Sequence, residues 1–168
     1  MNKKLLTLLG LMLGLGVAFG ALVQIISNTI TYTFKTELPF QLTIKEPASG
    51  DFGTIYGGST VVAKYTVENR ANNDISAVNE IVIYGPDNLD GSEITSIEFS
   101  KDGVSYVTLN IYTIEDRNGD GKTDIVYRTD AVTYNALSSE DNYLRITFNS
   151  AIQPGNYSFD IKLLPKGV

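Results

Sequence analysis

At 168 residues, with 43% hydrophobic and 19% charged side chains, the chain is long enough for one domain with a sizeable core and too apolar to stay disordered. It has no Cys and no His, which excludes disulfides, thiolate nucleophiles, haem attachment, His-dependent triads and the usual zinc sites. A formal net charge of −6 argues against a nucleic-acid partner, which needs a basic face, and suits divalent cations and a solvated exterior.

The chain begins with Met1-Asn2-Lys3-Lys4, a positive stretch, and then runs uncharged from Leu5 to Val23. This is the pattern of a secretory signal peptide, so residues 1–21 are expected to be removed after Gly20 or Ala21. The rival reading is an uncleaved anchor, because Leu5 to Ile26 is long enough to span a bilayer. Gly10, Gly14, Gly16 and Gly20 give small-residue spacings that suit helix packing in that case. On either reading, membrane contact is confined to this segment. The remainder is expected to be secreted and to reside outside the cell or on its surface.

Residues 22–36 follow, with no charge until Lys35. Ile26, Ile30, Tyr32 and Phe34 alternate with Ser27, Thr29, Thr31 and Thr33, the period of a strand with one apolar face. An apolar strand at a new N-terminus is an aggregation hazard unless something pairs with it. It either folds back as an edge strand of its own domain or adds to the sheet of another copy. In the second case Ile26, Asn28, Ile30, Tyr32 and Phe34 form the donor strand. The head-to-tail contact does not close, so it propagates a homopolymer.

Period-two alternation continues through residues 37–168, read as one domain. It predicts strands at Phe40–Ile44, Val61–Val67, Val78–Tyr84, Ile94–Phe99, Val104–Ile114, Asp124–Arg128, Tyr143–Phe148 and Tyr157–Leu164. Turn residues separate them, among them Gly57-Gly58, Asn72-Asn73-Asp74 and Pro154-Gly155-Asn156. Ala136 to Asp141 is expected to hold one short turn of helix. The whole reads as an all-β fold, a β-sandwich or jelly roll preceded by the signal peptide and a donor-type strand.

Several short motifs follow one another along the chain: Ser27-Asn28-Thr29, Phe40-Gln41-Leu42-Thr43-Ile44, Tyr56-Gly57-Gly58-Ser59-Thr60-Val61 and Val67-Glu68-Asn69-Arg70-Ala71. With the Pro154-Gly155-Asn156-Tyr157 start of the last strand, this order resembles the TasA/camelysin group of biofilm matrix fibre proteins and the archaeal bundling pilins similar to them. The resemblance implies a jelly-roll subunit that gives its N-terminal strand to its neighbour by donor-strand complementation. The product is an extracellular filament, a pilus or a biofilm fibre.

One segment carries metal chemistry. In Asp116-Arg117-Asn118-Gly119-Asp120-Gly121-Lys122-Thr123-Asp124, oxygen donors fall at positions 1, 3, 5 and 9. Gly121 at position 6 permits a sharp turn, and the Lys122 carbonyl can add a ligand. The pattern resembles calcium loops of dockerin-like and integrin-like β modules and makes structural calcium the candidate cofactor. It departs from an EF-hand in having Tyr127, not Glu, at position 12, and a plain hairpin turn is the other reading. Asp87, Asn88 and Asp90 form a looser acidic turn. These features leave open a membrane-anchored, calcium-binding adhesion or surface-layer module.

No nucleophile elbow, Walker loop or dinucleotide fingerprint appears. Glu68, Glu80, Glu98 and Asp160 alternate with apolar neighbours, as on a solvated strand face, so the protein is not expected to be an enzyme. Asn156-Tyr157-Ser158 is a glycosylation sequon, a candidate for Asn156 on an exported surface.

Overall fold

The computed structural model describes residues 39–166. The signal or anchor segment 1–21 and the donor segment, with Ile26, Asn28, Ile30, Tyr32 and Phe34, lie outside the described residues. Among the described residues, no helix is long and apolar enough to cross a membrane.

The described residues form strands β1 (Phe40–Glu46), β2 (Thr60–Asn69), β3 (Ile75–Tyr84), β4 (Ile94–Ser100), β5 (Val107–Thr108), β6 (Ile111–Glu115), β7 (Asp124–Arg128), β8 (Val132–Tyr134), β9 (Ser139–Phe148) and β10 (Ser158–Pro165). They build two wholly antiparallel sheets. One is ordered β1-β2-β9-β4-β5, and the other β10-β3-β7-β6. β8 pairs with Ile75–Ala77 of β3, and β7 pairs with Glu80–Ile83. β10 takes the other edge of β3, so β7 and β8 share one lane in succession. The first sheet therefore has five lanes and the second has four. This is a β-sandwich.

Alternation decides which side chains the sandwich buries. From β2, Ala63, Tyr65 and Val67 face inward; from β3, Ala77, Ile81 and Ile83; from β9, Leu144, Ile146 and Phe148. Ile97 and Phe99 of β4 and Ile125 and Tyr127 of β7 complete the layer. The long β2–β9 ladder, from Thr60↔Thr147 to Glu68↔Ser139, holds the centre of the first sheet. Gly57 precedes it because a Cβ there would stand 2.5 Å from the Ser150 carbonyl oxygen.

Two sequence expectations about the strands and turns need correction, and one strand went unforeseen. The predicted strand Val104–Ile114 is two strands in different sheets. Between them Leu109 is buried and its amide donates to the Ile97 carbonyl at 2.8 Å, so the chain crosses the sandwich there. The apolar run reads as continuous because residues on both sides of the crossing are apolar. The short strand β8 was not anticipated, since three residues are too few to show a period. Ala136 to Asp141 is not helical: Leu137 takes a left-handed φ of 52° in a tight turn, and β9 starts at Ser139.

Candidate functional site

The most distinctive surface lies along the side bounded by β1 and β10. Register partners in an antiparallel ladder share a face. Leu42 pairs with Val67 and Ile44 with Tyr65, both core residues, so Leu42 and Ile44 point inward. Yet they are 38% and 60% exposed. On β10, Phe159, Ile161 and Leu163 pair with Ile83, Ile81 and Asn79 and also point inward, and all three are only partly buried. Between the two edges runs a groove of about 420 Å³, with Val61, Ala63, Tyr65 and Ile146 among its walls.

The loop after β1 reaches over this groove. Phe52 packs on Phe159 with ring centroids 6.2 Å apart. The loop's own polar contacts are local, with the Asp51 carboxylate accepting from the Gly53 amide at 2.7 Å. Asn156 is exposed on the turn before β10, at the groove's rim.

The opposite side, bounded by β5 and β6, also leaves inward apolar residues uncovered: Val107, Ile111 and Ile114. It differs in its edges. β5 has two residues, β6 has five with a register break between Ile111 and Thr113, and the chain itself crosses between the sheets. β1 and β10 have seven and eight residues, and the β10–β3 ladder is unbroken.

The sequence-predicted metal loop lies between β6 and β7. Asp116 accepts from the Gly119 amide at 2.6 Å and from the Gly121 amide at 2.9 Å. Asn118 accepts from the Asp120 amide at 3.0 Å, and Asp120 from the Lys122 amide at 2.8 Å. Gly119 and Gly121 take φ of 78° and 84°, which side-chain-bearing residues avoid, so the loop needs both glycines. The Lys122 ammonium reaches the Pro86 carbonyl. Asp124 is buried at the start of β7 and accepts from the Arg117 amide at 2.9 Å. The structure thus brings Asp116, Asn118 and Asp120 into one loop and turns Asp124 to a separate partner. Among the described residues no group of three or more acidic side chains is gathered closely enough to hold an ion. Asn88, from the looser acidic turn, accepts from the Thr123 amide at 2.9 Å and ties the two loops together.

Two further polar constellations were missed at the level of sequence. Inside the core, the Tyr65 hydroxyl donates to Asn79 Oδ1 at 2.9 Å, and the amides of Asn79 and Asn142 reach the Tyr134 hydroxyl at 3.1 and 3.2 Å. Burial pushes the Tyr65 phenol well above its ordinary value and keeps it neutral. Among the described residues, buried Asn142 Oδ1 finds no partner. Asn69, fully buried, donates to the carbonyls of Asn73, Tyr134 and Asn135 and so joins three chain segments at one pole.

On the outer face of the second sheet, Glu80, expected to be solvated, is instead 1% exposed, because Arg117 and Arg128 both donate to its carboxylate and cover it. Arg128 lies over the Tyr112 ring, 3.8 Å from its centroid. Burial pushes the Glu80 carboxyl up, but the hydrogen bond from Arg128 and the charges of both arginines prevail and hold it below its ordinary value. These contacts satisfy the carboxylate completely, as in a structural ion cluster.

No known protein-family model matches the chain, and no curated protein matches it. Among solved structures, AvmM, which catalyses macrocyclization in alchivemycin A biosynthesis, is similar at 12% identity with a TM-score of 0.48, over 77% of this chain and 88% of that one. A family 123 glycoside hydrolase from Clostridium perfringens is similar at 11% identity with a TM-score of 0.45, over 77% of this chain and 25% of that one. Likeness this distant carries no activity over to the present chain.

Proposed function

We propose that the protein is an exported structural subunit that polymerises head to tail by donor-strand complementation. The polymer is an extracellular filament, either a pilus or a biofilm matrix fibre. The observation that carries this reading is the inward face of β1 and β10 around an apolar groove, which the described residues cover only in part. A domain that completes its own core has no reason to leave Ile44 facing inward and mostly in water. The same chain carries, in residues 22–36, an alternating apolar segment that needs an edge to pair with. Each is a liability alone, and pairing between copies relieves both.

The resemblance to TasA/camelysin-like fibre proteins and archaeal bundling pilins points the same way, and so does the signal pattern of residues 1–21. A jelly-roll wrapping is the finer form of the observed sandwich, supported by an early strand, β2, lying beside a late one, β9, at the centre of a sheet. On this reading the partner is another copy of the chain, the protein acts outside the cell, and no catalysis is involved.

Replacing both Ile26 and Ile30 with Asp is expected to give soluble monomers from a protein that otherwise forms filaments. Unchanged filaments in electron micrographs would refute the donor role. Mass spectrometry of the native N-terminus adds a second readout. A start at Ala21 or Leu22 supports donation, and an intact Met1 supports an anchored form.

A second reading, a membrane-anchored calcium-binding adhesion or surface-layer module, is favoured by the Asp116–Asp124 loop. Calcium there would be structural, held by Asp116, Asn118, Asp120 and the Lys122 carbonyl, with Asp124 free to join only by leaving Arg117. Chelation is then expected to lower the melting temperature of the wild type and to leave Asp120→Ala unaffected. A melt insensitive to chelator rejects the site.

A further inference from the structure

We infer that the tail of one copy lies along β10 of the next copy, antiparallel to it, as an added strand of the second sheet. The inference rests on the proposed strand donation and specifies which edge accepts and in which direction.

The choice of edge follows from the lane count. Among the described residues the first sheet has five lanes and the second four, and the Leu109 crossing joins the β5 edge directly to the β6 edge, so the open lane lies on the other side, beyond β10. A strand placed there covers the inward faces of Leu42 and Ile44 from across the sandwich. β10 also offers an unbroken ladder, whereas β1 breaks register between Ile44 and Glu46.

The direction follows from where the described domain begins. The Pro39 carbonyl accepts from the Arg70 amide, and Phe40 pairs with Asn69 and packs edge-on against Tyr134 at 5.6 Å. The chain therefore joins the sandwich at the pole that holds Asn69, Ile75 and Lys166. β1 runs away from that pole over roughly 20 Å at about 3.3 Å per residue. The groove walls, Glu46, Val61, Ile83, Phe148 and Ser158 among them, belong to the far half. β10 begins at this far pole and runs back toward the first.

A tail leaving its own first pole and laid beside its own β10 would run parallel to it. It would be the single parallel pair in a sandwich whose other described pairs are all antiparallel. A tail arriving from a copy stacked pole to pole reaches the far end of β10 first and runs antiparallel to it, the better-paired arrangement. Residues 35–39 can span roughly 17 Å, enough to bridge abutting poles but too few to separate them.

Antiparallel partners share a face, which fixes a register. Phe34 opposite Phe159 puts Tyr32 opposite Ile161 and Ile30 opposite Leu163, three apolar pairs on the inward side. Phe52, now resting on Phe159, holds the place that Phe34 takes.

The native chain has no Cys, so paired cysteines report cleanly. We would express full-length protein with Phe34→Cys and Phe159→Cys, or Ile30→Cys and Leu163→Cys, and treat assembled material with a short dimaleimide. Its reach tolerates a slip of two residues but not the roughly 13 Å between the ends of these pairs. The expected result is a ladder of covalent oligomers from both pairs. The swapped pairs, Phe34→Cys with Leu163→Cys and Ile30→Cys with Phe159→Cys, are expected to give none. A ladder from the swapped pairs alone overturns the direction and leaves donation standing. Filaments without cross-links from any pair overturn β10 as the acceptor. Cross-links confined within monomers overturn both this inference and the donation it rests on.

Discussion

The side of the sandwich bounded by β1 and β10 and the side bounded by β5 and β6 both end in inward-facing apolar residues. They differ in what lies beyond them. At β5 and β6 the chain passes from one sheet to the other, Leu109 is buried in the crossing, and the edges are short and bulged. Such an edge discourages further pairing. At β1 and β10 the edges are long, the β10 ladder is regular, and a groove of about 420 Å³ separates the sheets. Exposure of apolar residues alone therefore does not mark the assembly surface. The proposed surface is set apart by a regular edge next to a lane left open among the described residues.

The sharpest way to break this comparison is a charge at Ile44. Because Ile44 is 60% exposed in the isolated domain, Ile44→Asp is expected to leave the monomer's melting temperature nearly unchanged and to abolish filaments in electron micrographs. Filaments at wild-type yield would show that the groove is not where copies meet. Next in size is the closed side. Leu109→Ala removes the buried residue of the crossing and is expected to cost about 2–5 kcal/mol in denaturant unfolding, without preventing assembly below the melting point.

A smaller effect probes the sheet away from both sides. Glu80→Gln is expected to cost about 1.5–3 kcal/mol, the worth of hydrogen bonds to charged groups. The wild type gives the matching pH dependence. The carboxyls of Glu80, Glu140 and Asp141 are all held below their ordinary values, so the stability they supply is complete above about pH 4.5. It is lost as pH falls through their lowered folded values. Thermal melts from neutral to acid pH should show this loss, with a shallower slope in Glu80→Gln. Smallest of all, Val107→Asp on the closed side is expected to change stability by no more than about 0.5 kcal/mol and to leave assembly intact. Loss of filaments in that variant would move the contact to the β5–β6 side.

The strands were legible because their apolar residues alternate cleanly, as in Val61, Ala63, Tyr65 and Val67. The crossing at Leu109 was not, since a chain that changes sheets can keep an apolar pattern without a break. The donor segment is an expectation drawn from charge-free alternation after a signal pattern, and it lies outside the described residues. The edge proposed to accept it had no signal in the sequence, because Ile44 and Ile161 look like any core residues until the lanes are counted. Asn69, Asn79 and Asn142 do carry a signal: each occupies an inward position among apolar alternates, where an amide must find partners across the core. Which partners those are depends on long-range register, and no local pattern reveals it. The Asp116–Asp124 loop shows the reverse limit, because the same oxygens and glycines serve a hairpin closed by its own amides and a loop wrapped on an ion.

Amide hydrogen exchange, compared between monomer and assembled protein, tests the central claim most directly. The outer-edge amides of Ser158 to Leu164 are expected to exchange fast in the monomer and to become strongly protected on assembly, while those of β5 and β6 stay as they were. Equal protection of β10 in both forms, or new protection appearing at β5 and β6 instead, would contradict the account.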